Sequence, residues 1–352
     1  MRQLAWRVFA RWEALLVVLI LIVGYWSTTK SPVFLTRVNL LDLMTPYIYI
    51  GLLAFGLTFV VVAGEIDISI CSTMAVSAVV FAEIWQQGTN VWVAALLGLA
   101  VAALLGLVNG LLIGVLDLPS LAVTLGTLAA YRGLAYVILG GESRSNFPSD
   151  FTDIGGGYRL LGGDLPNALL VLFGFALVLG LLLHVTRFGR YLFAIGSNRE
   201  AAQFSGIPVR RTRVTIFALS GLMAGFAGIV YLGYFGSVQA DAAAGSELID
   251  VVTAVVLGGV DIFGGSGSIL GVLLALVLVT ELRNGMQLDG VSGATQDLVI
   301  GVLLLAAILV GNGVRAARGR QAPWRPVLLS RKGVVQVNGV PAAAKSDSDQ
   351  GG

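Results

Sequence analysis

Ten apolar runs, each closed by charge or by turn residues, predict an all-α integral membrane protein of about ten transmembrane helices. Composition agrees: 57% of the 352 residues are hydrophobic, 12% are charged, and the mean hydropathy is +0.88. A soluble domain carries about 25% charge and could not hide this much apolar surface. A bilayer can, because a helix satisfies its own backbone polar groups. The third observation is the 46 glycines, about twice the usual share of roughly 7%. Helices in lipid gain little by leaving it for each other, and small residues let their backbones approach and collect dispersion contacts.

The runs follow in order. Arg2, Arg7 and Arg11 precede the first, at about 14–28. Trp26-Ser-Thr-Thr-Lys30 follows it without an A-x-A cleavage pattern, so the run reads as an uncleaved first helix. Further runs lie at about 46–63, 68–86, 91–116, 119–139, 167–185, 214–235, 249–263, 268–282 and 296–311. This divides the chain into a cytoplasmic N-terminal segment 1–12, a transmembrane domain 13–312 with a cytoplasmic loop 186–213, and a tail 313–352 that is basic and then disordered.

Orientation rests on the positive-inside rule. The 186–213 loop holds Arg187, Arg190, Arg199, Arg210, Arg211 and Arg213 against Glu200, and the tail holds Arg315, Arg318, Arg320, Arg325, Arg331 and Lys332. Ten spans place both on the side of the basic N-terminus, so N-in and C-in is expected. The opposite side carries the 140–166 loop, with Asp150, Asp153 and Asp164, and the 236–248 loop, with Asp241 and Glu247. Gly106, Gly110 and Gly114 share one helix face, and Gly221 and Gly225 repeat the spacing; both sets read as packing. Val60–Ile68 echoes Val255–Ile262, each an apolar run broken by glycine and followed by an acid, which admits a two-half internal repeat.

Several classes are excluded. Cys71 is the single cysteine and His184 the single histidine, so neither an internal disulfide nor a thiolate or histidine-cluster metal site can form. No Gly-x4-Gly-Lys-Ser/Thr sequence occurs, so ATP is not expected to bind this chain. The net charge of +2 comes largely from membrane-edge arginines and does not point to nucleic acid.

Four constellations could carry chemistry. In Gly64-Glu65-Ile66-Asp67-Ile68-Ser69, two acids sit between apolar runs. They read either as a polar break lining a pathway or as a tight turn with Asp67 or Ser69 capping the next helix. Within the basic loop, Ser197 or Asn198 can cap a short helix that Gly206 ends, with Glu200 at its centre. Such a helix is too short and polar to span and suits the docking of a soluble partner. Thr124, Thr127 and Tyr131 share a face of the fifth run, and Arg132 beside them is costly at mid-span unless it meets a cavity or an acid. Gly264-Gly265-Ser266-Gly267 matches the GxSG serine of an intramembrane protease, with His184 as the available base.

These residues resemble the permease subunits of bacterial monosaccharide importers of the ATP-binding-cassette class, the group of ribose, xylose, rhamnose and autoinducer-2 permeases. The resemblance runs from about 40 to 312 and rests on Gly64–Ser69, Thr124-Leu-Gly-Thr127 with Tyr131-Arg-Gly133, Gly196–Ile207 and Leu257–Gly267. Glu65, Ile70-Cys71 and Asp261 depart from the smaller residues usual there. The resemblance implies a dimeric, multi-pass permease of the bacterial inner membrane passing a monosaccharide inward. The chain would hold no cofactor, with ATP and Mg on a separate cytoplasmic ATPase. That ATPase would dock on Ser197, Asn198, Arg199, Glu200, Ala201, Ala202, Ser205 and Gly206. A periplasmic binding protein would deliver the sugar. The expected translocation pathway takes in Glu65, Asp67 and Ser69, then Thr124, Thr127, Tyr131 and Arg132, and Asp261. Pentose, deoxyhexose and autoinducer stay open as solutes, as do homodimer and heterodimer. Two other readings stand beside it: a stand-alone secondary transporter with Glu65, Asp67 and Arg132 as ion-coupling groups, and the protease.

Overall fold

The structure, a computed structural model, describes residues 12–157, 166–240 and 247–317, with side chains to residue 313. Arg2, Arg7, Arg11, Asp164, Asp241 and the tail from Arg318 onward lie outside the described residues, as does the side chain of Arg315. The described residues up to 311 form one compact unit. The second, 312–352, is described only in the last turns of the final helix.

Each of the ten apolar runs contains a helix, although the 249–263 run is helical only through Leu257. Helix α1 spans Trp12–Lys30, a short α2 Arg37–Asp42 leads through a turn into α3 Ile48–Val62, and α4 spans Ile70–Gln86. Then come α5 Val91–Gly114 and α6 Ser120–Leu139. The next connection holds β1 Arg144–Ser145 and α7 Ser149–Gly156. Helix α8 Asn167–His184 is followed by α9 Arg187–Ser197, α10 Arg199–Phe204 and α11 Val209–Phe235. A second short strand, β2 Ser237–Val238, pairs antiparallel with β1; α12 Glu247–Leu257, α13 Ile269–Leu288 and α14 Gly293–Ala317 complete the order.

Among the described residues, eight helical segments are long and apolar enough to cross a membrane, where the sequence suggests ten. The two that fall short are α4, with 17 residues, and α12, with 11. At 1.5 Å per residue, α12 rises about 16 Å, roughly half a hydrocarbon core of about 30 Å. Glycines at 258 and 259 end it early, and residues 258–268 run on as irregular chain.

Helix ends sort into two groups. At one end Trp12 Nε1 donates to the Leu257 carbonyl (2.6 Å), and the Gly265 N–H donates to the Val62 carbonyl (2.8 Å). This brings together the start of α1 and the connections after α3, α9 and α12. At the other end Lys30 pairs with Asp289 (3.2 Å), Asn39 and Asn284 exchange amide hydrogen bonds (3.0 Å each), and β1 meets β2.

The core is built on α3 and α11. Every residue of α3 is buried. Helix α11 crosses α5 where side chains vanish: a Cβ on Gly106 would lie 2.4 Å from the Phe217 carbonyl oxygen, and one on Gly221 2.4 Å from that of Ala102. Gly110 and Gly114 continue the contact along Val214 and Arg210, so these glycines pack as their spacing suggests.

The echo between 60–68 and 255–262 has a local cause. Gly64 (φ 77) and Gly259 (φ 81) each end a helix in the left-handed conformation. In each case the next N–H reaches back five residues, Glu65 to Val60 O (3.1 Å) and Val260 to Val255 O (3.3 Å). This is one helix-ending motif, and it recurs at Gly206 and Gly290.

The basic loop is the main departure. Residues 186–213 contain two helices and the first turn of a third. Thr186 caps α9 by accepting from the Gly189 N–H (3.3 Å), and α9 buries Gly189, Leu192 and Ile195 while exposing Arg187 and Arg190. Helix α11 begins at Val209 rather than near 214, which draws Arg210, Arg211 and Arg213 into it. Arg213 is buried, with 3% of its side chain exposed, and is no solvated loop residue.

Candidate functional site

Three glycine turns meet at the crowded end. The Gly64 turn follows α3, Gly196 closes α9, and Gly264-Gly265 lies between α12 and α13. Cβ atoms added at Gly196 or Gly264 would collide with the neighbouring turns, at 2.0 Å from Val62 O and 2.7 Å from Gly64 N. The backbone of residues 62–69 is therefore held directly against the chain that leads into α10.

Residues 65–69 carry a buried polar chain. Asp67 Oδ1 accepts from the backbone N–H (3.0 Å) and hydroxyl (2.7 Å) of Ser69, and Oδ2 accepts from the Ser220 hydroxyl on α11 (2.8 Å). The Asn109 amide on α5 donates to Ser69 Oγ (2.9 Å), and Tyr131 on α6 donates to Asn109 Oδ1 (3.2 Å) and to the Leu105 carbonyl (3.1 Å). Ser69 and Ser220 bind the carboxylate itself, and Asn109 and Tyr131 extend the chain outward from Ser69 to α5 and α6. A polar group buried without partners would cost about 1–3 kcal/mol, and here both carboxylate oxygens are engaged. The turn alternative describes the local geometry well: Ser69 stands at the start of α4, and Asp67 takes up its N–H. Helix α6 is fastened to the same turn, with Ser120 Oγ accepting from the Ile66 N–H (3.2 Å) and Thr124 donating to the Ile66 carbonyl (3.3 Å).

A second network is ionic. Arg213 Nε lies 2.5 Å from Glu65 Oε1, an ion-pair contact without an aligned hydrogen bond. Arg213 Nη1 donates to Asp117 Oδ1 at 2.6 Å, and Arg199 Nη2 donates to the same oxygen at 2.5 Å. Asp117 lies between α5 and α6 with φ 56, a left-handed conformation that aspartate tolerates better than most residues. Its two guanidinium partners hold its carboxyl below the ordinary range.

Helix α10 is the short capped helix expected from the loop. Asn198 Oδ1 accepts from the Ala201 N–H (2.9 Å), Ser205 donates to the Ala201 carbonyl (2.8 Å), and Gly206 (φ 78) ends it. Only Ala202 faces inward; Ser197, Arg199, Glu200, Ala201 and Ser205 are exposed. Phe204 is 92% exposed, an aromatic ring that none of the described residues covers.

The remaining expected residues separate by depth. Glu65, Asp67, Ser69, Thr124 and Tyr131 are buried, and Thr127 is half-buried, donating to the Val123 carbonyl (3.1 Å). Arg132 is exposed on α6. Asp261 is half-buried and accepts from the Phe263 N–H (2.9 Å), shaping the glycine turn. Around Arg132, Gly126 and Gly133 face open space. For the protease reading, no hydrogen bond joins Ser266 to His184 among the described residues; His184 stacks on Phe193 at 6.1 Å, and the Ser266 carbonyl accepts from the Asp261 N–H (3.0 Å).

Asn109, Asp117, Arg213, Ser220 and Phe204 join this constellation without having been singled out from sequence. Asn109 is a lone amide inside an apolar span, which is a usable signal. Arg213 reads as one more arginine of the basic loop, and Asp117 lies in the short gap between two apolar runs.

Comparison with known proteins fits this geometry. Residues 39–308 match the family described as branched-chain amino acid transport system / permease component. The chain is 37% identical over 319 residues to the autoinducer 2 import system permease protein LsrD of Escherichia coli (strain K12) and of Shigella flexneri, covering 89% of this chain and 95% of each relative. The corresponding protein of Yersinia enterocolitica is 37% identical over 320 residues, with the same coverage. No solved structure matches the chain. The matched region takes in both polar networks, the glycines at 64, 196 and 264–265 and, apart from the end of α14, all but the first of the long helices, and the chain belongs to this family of inner-membrane permease components.

Proposed function

We propose that the chain is the permease subunit of an ATP-binding-cassette importer, moving a small hydroxyl-rich solute of the monosaccharide class into the cytoplasm. Autoinducer 2, which the relatives' names carry, is the solute to try first. The observation that carries the reading is α10: a capped, six-residue helix that exposes Glu200 and Phe204 and is braced from beneath by three glycine turns. A helix this short contributes nothing to spanning and has little stability of its own. It suits a surface on which a cytoplasmic ATPase seats, with Phe204 as the aromatic anchor and Ser197–Gly206 around it. ATP and Mg are held by that partner, and a periplasmic binding protein delivers the solute. This places the end carrying α10 in the cytoplasm and the β1–β2 end outside, in agreement with the charge bias.

The pathway is proposed to run along α6, with Thr127 and Arg132 at its wall and Glu65, Asp67, Ser69, Thr124, Tyr131 and Asp261 fixing the shape of its inner end. The exposed glycine face of α6 is where a second permease subunit packs, so the path lies between subunits. Transport follows by alternating access, with ATP binding shifting the population between inward- and outward-open states.

The test is co-purification. A gently solubilised, tagged chain is expected to bring down a P-loop ATPase, and Glu200→Arg to lose both that partner and solute uptake while still inserting. Persistent uptake with the ATPase bound would remove α10 as the docking surface. Intact protein without any ATPase would favour a stand-alone transporter.

A further inference from the structure

The ionic network joins two regions that the proposed function treats separately. Arg199 is the first residue of α10, and Glu65 belongs to the turn whose next acid, Asp67, binds Ser69 at the start of α4 and Ser220 on α11. Between them stand Asp117 and Arg213: Arg199 to Asp117 at 2.5 Å, Asp117 to Arg213 at 2.6 Å, Arg213 to Glu65 at 2.5 Å. Two cations and two anions alternate, so the chain of charges is balanced. Its inner pair is buried and its outer pair exposed. Arg213 is 3% exposed and Glu65 10%, whereas Asp117 is 59% and Arg199 42% exposed. An exposed ion pair contributes little to stability, so the outer link does not hold the fold together. It does give α10 a directional connection to a buried guanidinium. The loop adopts a left-handed residue at 117 while placing one carboxylate oxygen between arginines from two different helices.

We propose that Asp117 is a positioning residue for energy coupling: through Arg213 and Glu65 it transmits displacement of α10 to the 63–69 turn and the start of α4. The proposal rests on the reading of α10 as the ATPase seat and goes beyond it by naming the route. Cys71 supplies a native reporter. It is the chain's single cysteine, it is buried, and it lies in the first turn of α4, two residues beyond Ser69.

The experiment uses the complete permease–ATPase complex in lipid and measures the rate at which N-ethylmaleimide labels Cys71, without nucleotide and with ATP plus vanadate. The variants are Asp117→Asn and Asp117→Gly, since both residues accept a left-handed backbone. Wild type is expected to change its labelling rate about three-fold or more with nucleotide, as thiol reactivity follows exposure. Both variants are expected to retain the ATPase and its hydrolysis, with labelling that no longer responds to nucleotide. An unchanged response in both variants would overturn the proposal. So would a wild-type complex that hydrolyses ATP with no change at Cys71, or loss of the ATPase from the variants, which would put Asp117 in the docking surface itself. A wild-type chain that binds no ATPase would instead overturn the importer reading, and this route with it.

Discussion

Helices α5 and α6 are neighbours in sequence, both apolar and both glycine-bearing, yet their glycines meet opposite surroundings. On α5, Gly106, Gly110 and Gly114 lie so close to the backbone of α11 that even a methyl group would collide. On α6, Gly126 and Gly133 face open space, next to the exposed Arg132. Small residues in lipid license close approach, and the pattern alone does not say to what. In α5 the partner is another part of the same chain. In α6 none of the described residues fills the place, and a charged residue stands where lipid would be a costly neighbour.

The sharpest way to break this contrast is a pair of leucines. Gly106→Leu should abolish the folded protein, because its side chain would enter the α11 backbone and overpacking there has no flexible side chain to displace. Gly133→Leu should leave the thermal midpoint within about 1 °C, since surface changes usually stay within ±0.5 kcal/mol, while reducing subunit association and uptake about ten-fold or more. Fluorescence-detected size-exclusion on heated samples reads both. Equal thermal losses in the two variants would show that the α6 face is covered within the chain.

A smaller effect is expected for Arg132→Ala, which should lower uptake without changing the amount of inserted protein; a loss of inserted protein would make Arg132 a structural residue. Asn109→Leu removes the link between Ser69 and Tyr131 and should cost about 1–3 kcal/mol by stranding buried polar groups, visible as a lower midpoint. Thr124→Val is the mildest, at about 0.6 kcal/mol, the typical yield of an interhelical hydrogen bond in a membrane protein. The ionic route also has a pH signature. Asp117 is held below its ordinary range, so its charge is present at neutral pH and is lost only as the pH falls through that lowered value. Nucleotide-dependent labelling of Cys71 should therefore persist from pH 7 down to about 5.

Much of this was legible beforehand, for identifiable reasons. A helix in each of the ten runs follows from apolar length, and α10 follows from an asparagine cap at 198 and a terminating glycine eight residues later. That the α5 and α11 glycines pack follows from their spacing, while their meeting each other does not. What sequence hid was the company each charge keeps. Arg213 reads as one more arginine of a basic loop, because the acids that let it be buried lie 96 residues away at Asp117 and farther still at Glu65. Helix α9 was hidden for a related reason: its arginines flank a buried stripe of Gly189, Leu192 and Ile195 too short to register as an apolar run. The echo of 60–68 in 255–262 was real as a pattern, and the structure gives it a cause in a shared helix ending.

The hydrogen bond from Trp12 to the Leu257 carbonyl spans 245 positions. Its consequence belongs to biosynthesis. At about 5–20 residues per second, the ribosome needs roughly 10–50 s between making the two partners. Over that interval α1 leaves the exit tunnel while its place against α12 and α13 does not yet exist. The helix is suited to waiting: of its described residues only Leu16 and Ser27 are buried in the finished fold, and the rest can face lipid. The first helix made is thus among the last to be seated, and Trp12 closes the bundle by joining its oldest segment to one of its newest.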